Sequence, residues 1–314
     1  MTAIDLRGSA VDEAPHEGRE PLGTEPVPSA KPRRPAHPNA VLARWVVVAV
    51  SLLAAWSVAY ALGLSSLQES RDQPALYASF REQLADPQSQ PTGAIVPGTP
   101  VALLQSSAGG IGDLVVVEGT SAGDLQSGPG HRRDTALPGQ AGVSVILGRS
   151  ATFGAPFADI TTLRPGEIVT ATTAQGAFRY RVDGVRRAGD PLPAPLVAGA
   201  GRLTLVTSQA TGWRSGWAPS GTVYVDATLQ GAAVATPPGR PASVPLAESP
   251  MQGDRGVLMP LVLWLQALLL AGLAVAWARL RWGRWQTWLV GGPLLLAALW
   301  GASATAIQLL PNLL

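Results

Sequence analysis

The sequence predicts an all-β domain held at a membrane by three transmembrane helices, and three observations predict it. Seven short runs rich in Val, Ile, Thr and Leu, separated by Gly and Pro, fall between residues 100 and 229. Three stretches, Trp45–Leu64, Gly256–Ala278 and Trp285–Leu310, carry no charged residue. Of the ten Trp, eight fall in or beside those stretches, and Trp gathers at membrane interfaces because its ring is apolar while its N–H seeks a partner.

Residues 1–43 read as a disordered cytoplasmic tail, rich in Pro, Gly, Ala and Glu and without apolar periodicity. Its acids (Asp5, Asp12, Glu13, Glu17) precede its bases (Lys31, Arg33, Arg34), and Arg44 follows. The run is a solvated tail, or a minor regulatory or lipid-headgroup contact. Residues 44–64 form the first membrane span, since about 20 apolar residues cross the bilayer core. The preceding bases favour a cytoplasmic N-terminus. Ala59 and Ala61 fit the small-residue pattern of a signal-peptide cleavage site, but the apolar run is long for a leader and starts late. An uncleaved anchor is the preferred reading.

Residues 65–92 form a juxtamembrane segment. Leu76, Phe80 and Leu84 recur every four residues, as on a short amphipathic helix that Pro87 and Pro91 terminate. Residues 93–230 form the globular domain. Its runs are Pro100–Leu104, Asp113–Val117, Val143–Leu147, Glu167–Thr172, Phe178–Val182, Leu203–Thr207 and Thr222–Leu229, the pattern of a β-barrel or sandwich. Helical pieces are expected near Ser121–Gln126 and Phe157–Leu163. Residues 231–255, with five prolines, read as a semi-rigid extended linker. Residues 256–278 and 286–310 form the second and third spans. The loop 279–285 between them holds Arg279, Arg281 and Arg284 and is expected in the cytoplasm. All three spans then agree: N-terminus inside, β domain outside, a very short external end.

Composition removes several functions. With no cysteine, there is no disulfide, thiolate nucleophile or Cys-ligated metal. His16, His37 and His131 are far apart, so no metal site is expected, and no cofactor is implied. The net charge of +2 comes without a basic stripe, and no nucleic-acid partner is expected. Gly109-Gly110 and Gly199–Gly201 lack the Lys-Ser/Thr of a phosphate loop. Gly291-Gly292-Pro293, within an apolar span, suits close helix packing or a kink.

Three ordered stretches resemble the sortase family, particularly the actinobacterial class E sortases. The first is Leu114–Thr120, followed by Asp124-Leu125, Gly128-Pro129-Gly130-His131 and Ala136-Leu137-Pro138-Gly139. The second is Val145–Gly148, followed by Gly154-Ala155-Pro156-Phe157 and Leu163-Arg164-Pro165-Gly166. The third is Leu203–Thr207, then Val223-Tyr224-Val225. The resemblance implies a closed eight-stranded β-barrel with short helices in its loops. It also implies a cysteine transpeptidase acting on cell-wall sorting signals, with a histidine as proton shuttle and an arginine stabilising the oxyanion.

This chain departs from that pattern at each catalytic position. Arg149 follows Gly148 where the family histidine falls, Ser208 follows Thr207 where the cysteine falls, and Thr222 opens the last strand where the arginine falls. A Ser hydroxyl needs a positioned base, and a guanidinium stays protonated and cannot serve as one. No catalytic residue is therefore expected. Ser208 reads as a small residue in the old nucleophile slot, or as a nucleophile served by an unexpected base. His131 sets turn geometry, lines the groove, or is that base. Arg149 lies on the surface or offers a five-donor fork in the groove. Arg214, between Trp213 and Trp217, is stacked or replaces the lost arginine. His131, Arg149, Ser208 and Arg214 are thus the candidate groove-lining set. The sequence favours a non-catalytic binding or scaffold module. A Ser208-dependent acyl hydrolase or transpeptidase, or an accessory subunit of an active sortase, are the alternatives. Expected partners are the lipid bilayer and a cell-surface peptide, a pilin-like protein or a membrane protein complex.

Overall fold

The computed structural model describes residues 38–85, 94–209, 221–281 and 283–314. Most of the predicted tail, Pro87, Pro91 and the loop carrying Trp213, Arg214 and Trp217 lie outside the described residues.

Eight strands form the domain: β1 (Pro100–Ser106), β2 (Leu114–Glu118), β3 (Gly130–His131), β4 (Gly142–Leu147), β5 (Ile168–Thr173), β6 (Gly176–Arg187), β7 (Gly201–Gln209) and β8 (Gly221–Leu229). They close into a barrel in the order β1-β2-β3-β4-β7-β8-β6-β5, and β5 returns to β1 as an antiparallel neighbour. Closure decides between barrel and sandwich, and it leaves no long edge exposed. Two pairs are parallel: β2 with β3, and β4 with β7. Every predicted run became a strand. The two residues of β3 escaped because so short a run carries no periodicity. The expected helical pieces are single 3-10 turns, Asp124–Gln126 and Ile160–Thr162.

The interior follows from the period-2 pattern of the strands. In β5, Val169, Ala171 and Thr173 point inward between half-exposed neighbours. Leu104, Val116, Ile146, Leu205 and Val225 meet there from five strands, and Phe157 and Ile160 join them from the connection between β4 and β5. Tyr180 is buried too, and its hydroxyl accepts the Gly139 N–H at 2.6 Å. Burial pushes the phenol up to about 12.

Residues 38–85 run as α1 (Pro38–Ala59), a π-helical turn (Tyr60–Leu64) and α2 (Ser65–Ala85) without a break. The juxtamembrane helix is therefore longer than the expected short one, and it continues through Pro74. Phe80, from the predicted stripe, packs on Leu103 and Val115, with Leu76 beside it, whereas Leu84 is exposed. The Gln73 side chain pairs with both backbone groups of Val115 and also donates to the Ser127 carbonyl. It thus completes the hydrogen bonding of β2 as a neighbouring strand would.

Two further helices, α3 (Leu258–Arg281) and α4 (Arg284–Ala306), form an antiparallel pair. Gly291 faces the Val275 side chain and Gly301 faces the Trp264 indole, so each lets a bulky neighbour approach the α4 backbone. α4 passes through Pro293 as one helix. Among the described residues, three helices are long and apolar enough to cross a membrane, and their apolar side chains are largely exposed. Near the barrel, Trp56 donates to Ser303, and Tyr60 meets Trp300 edge-on with centroids 5.1 Å apart.

Residues 231–255 are more than a spacer. Val234 bridges to Gln140, and Thr120 donates to the Glu248 carbonyl. Arg133 pairs with the Glu248 carboxylate, and the Arg240 guanidinium stands 3.6 Å from Glu118. A Pro-rich segment without apolar periodicity can still dock through its backbone and a few charges, and this one straps the barrel.

Candidate functional site

The site lies where β4 and β7 end side by side. Their parallel pairing carries on past the strand, because Gly148 N donates to the Val206 carbonyl and Thr207 Oγ1 to the Gly148 carbonyl. Gly148 lies against the Phe157 ring, with no room for a Cβ. The chain then turns through Arg149 and Ser150. Phe153, Gly154 and Ala155 all follow at positive φ (48°, 71° and 48°), a conformation costing non-glycine residues roughly 1–3 kcal/mol each. The turn is held from outside by Ser65 at the start of α2, whose hydroxyl accepts the Phe153 N–H.

Arg149 is fully buried. Nε donates to the Leu125 carbonyl at 3.0 Å, Nη2 to the Ala122 carbonyl at 3.0 Å and Nη1 to Thr152 Oγ1 at 3.1 Å. Its guanidinium lies 5.0 Å over the Phe153 ring. Burial pushes its pKa down to about 9, which still leaves it cationic at neutral pH. Arg149 is therefore not the surface residue that the sequence allowed, because burying it lets its donor fork satisfy two of the protein's own carbonyls and the Thr152 hydroxyl, fastening the loop before β3 to the end of β4.

Ser208 and Ser150 form the centre. Their hydroxyl oxygens are 2.6 Å apart, and each lies 3.0 Å from the Leu313 carbonyl oxygen. Ser150 N donates to the same oxygen. Two hydroxyl protons serve three oxygen–oxygen contacts, so one hydroxyl donates to the other or both turn to Leu313. Thr222 lies opposite Ser208 in register, and its hydroxyl donates to Tyr224.

The fourth wall is the segment after α4. Leu313 is buried among Leu125, Leu147 and Val206. Thr152 donates through both N–H and hydroxyl to the Leu314 carbonyl. Asn312 Nδ2 donates to the Ala247 and Ser249 carbonyls of the strap, and Asn312 N to Gln252. Asn312 Oδ1 is buried without a partner.

His131 stands apart from this group. It is fully buried on β3, with Nδ1 2.8 Å from Glu118 Oε2 and Nε2 2.9 Å from the Ala136 carbonyl. Both ring nitrogens are thereby engaged away from Ser208. Arg214 lies outside the described residues. The structure thus pairs Ser208 with Thr222 across β7 and β8 and turns the Arg149 side chain away from them, towards Ala122, Leu125 and Thr152. It adds Ser150, Thr152, Asn312 and Leu313, which sequence reasoning missed. The available signal was Pro311-Asn312, a helix stop followed by two leucines, whose apolar side chains gain from burial.

Among the described residues, no group of three or more His, Asp or Glu is placed to hold a metal ion. Among those same residues, no carboxylate or imidazole is hydrogen-bonded to Ser208.

Residues 109–213 match the family model of the sortase domain. Similar solved structures include a sortase D5 transpeptidase of Clostridium perfringens, at 23% identity and TM-score 0.41, covering 53% of this chain and 100% of that one. Sortase E of Streptomyces avermitilis is 28% identical, with TM-score 0.35 and coverage of 49% and 100%. A sortase of Actinomyces oris is 20% identical, with TM-score 0.38 and coverage of 44% and 84%. No curated protein sequence matches the chain.

Proposed function

Because residues 109–213 match the family model of the sortase domain, we propose that this protein is a non-catalytic sortase-family module, anchored at the outer face of the plasma membrane, that binds a cell-surface peptide or protein. One observation carries the reading. The hydroxyl at the family's nucleophile position, Ser208, faces only another hydroxyl and a carbonyl oxygen among the described residues. To attack a carbonyl, a serine must direct a lone pair at the carbon while a base takes its proton. Arg149 occupies the shuttle's position and is a cation engaged in three donations, and His131 faces Glu118.

Residues 44–64, 256–278 and 286–310 then span the bilayer, with the N-terminus and the loop 279–285 in the cytoplasm and residues 93–230 outside. Arginines at the α3–α4 turn favour that orientation.

The test uses the full chain in lipid nanodiscs, incubated with a sorting-signal peptide and an amine acceptor and followed by mass spectrometry. The expected result is no cleavage or ligation above the buffer rate, and equal labelling by a serine-reactive probe in the natural protein and Ser208→Ala. Turnover at an enzymic rate, lost in Ser208→Ala, would replace this reading with the acyl-transfer one.

A further inference from the structure

From the way residues 310–314 occupy the site, we infer that this segment is a built-in peptide ligand, keeping the groove closed to partners of like chemistry until it leaves. The inference deepens the binding-module reading and rests on it. Ser150 N donates to Leu313 O, and Thr152 N to Leu314 O. Two amides of the turn after β4 therefore hold the carbonyls of two successive residues of the segment. Leu313 fills an apolar slot made by Leu125, Leu147 and Val206. Asn312 is read by two strap carbonyls, Ala247 and Ser249. Main-chain bonds supply grip, and the two side-chain pockets supply selectivity.

Three features distinguish a ligand from ordinary core. The segment belongs to no barrel strand and arrives from 163 residues beyond Ser150 in sequence, after α4. Its carbonyl sits on the hydroxyl at the family's nucleophile position. Its fit is incomplete, because Asn312 Oδ1 is buried unpaired, a loss that burial of an acceptor makes costly. A resident held imperfectly can be exchanged. Being tethered, it competes at an effective concentration on the order of millimolar, so a free peptide of the same sequence has to overcome a large handicap.

The full chain in nanodiscs is titrated with a fluorescein-labelled, amidated peptide of residues 308–314, with a scrambled peptide as control. The natural protein should bind weakly. Asn312→Ala, Leu313→Ala and Leu313→Asp, which weaken the resident and leave the groove intact, should bind progressively tighter, the last at least tenfold. Folded variants that bind no better than the natural protein overturn the inference. Hydrogen exchange on the natural protein decides the matter even where a variant fails to fold. The Ser150 and Thr152 amides should exchange faster than those of β7. Equal rates would make the segment a fixed part of the core and end the proposal. A dimer in which the segment comes from a second copy overturns its placement in the same chain. Cleavage of the added peptide would defeat the non-catalytic reading while leaving binding, read separately, in place.

Discussion

Ser150 and Ser208, on chain segments 58 residues apart, converge on one oxygen, the Leu313 carbonyl, with their hydroxyls 2.6 Å from each other. Among the described residues, the hydroxyl beside Ser208 is that of another serine, which can relay a proton but does not hold one.

The shared acceptor sets the effect of truncation. In Ser208→Ala, Ser150 can turn its proton to Leu313, and in Ser150→Ala, Ser208 can do the same. Each variant should lose about 1 kcal/mol, the net worth of one hydrogen bond, and the double variant about 2 kcal/mol. Denaturant titration of the three variants checks this.

Arg149 should be far more sensitive. Arg149→Met keeps much of the volume but strands the buried Ala122 and Leu125 carbonyls, for a loss of about 3 kcal/mol or more. Arg149→Lys should recover little, since one ammonium cannot reach acceptors arranged around a planar fork. Thermal melts of both variants against the natural protein read this directly.

Tyr180 gives a pH signature. Its folded pKa, about 12, lies above the ordinary phenol value near 10. Between these values the unfolded chain has lost the proton and the folded one keeps it, so this contribution is complete below pH 10 and is lost as pH rises towards 12. Arg149 acts oppositely: its folded pKa is lowered to about 9, so its contribution grows with pH above 9. The difference between natural protein and Tyr180→Phe isolates the phenol. That difference should shrink between pH 10 and 12. Below this range Tyr180→Phe should cost about 1–3 kcal/mol, from the unpaired Gly139 N–H.

Topology can be read from a chain without cysteine. A single cysteine at exposed Asp190 should react with a membrane-impermeant maleimide on intact cells, and one at Gly283 should react only after lysis. Labelling of Gly283→Cys alone on intact cells would invert the orientation.

The strands were legible because β-branched runs between Gly and Pro leave little else for the backbone to do. Leu114–Glu118 and Gly201–Gln209 fall close to where their runs predicted. The site was half legible. Arg149 and Ser208 could be found by position, but the burial of Arg149 could not, since arginine is mostly exposed. Leu313 was hidden for another reason: it meets Ser208 across 105 residues, and two leucines after a helix stop show no periodicity. Residues 231–255 looked like a spacer because carbonyls, which do most of their docking, are the same in every residue.

The unbroken passage of α1 through its π-turn into α2 has a mechanical outcome. Gln73 and Phe80 bolt that helix to β2, and Ser65 to the turn after Arg149. The barrel is therefore coupled to α2 without a flexible joint, and a load on that helix passes directly to β2 and to the turn after Arg149.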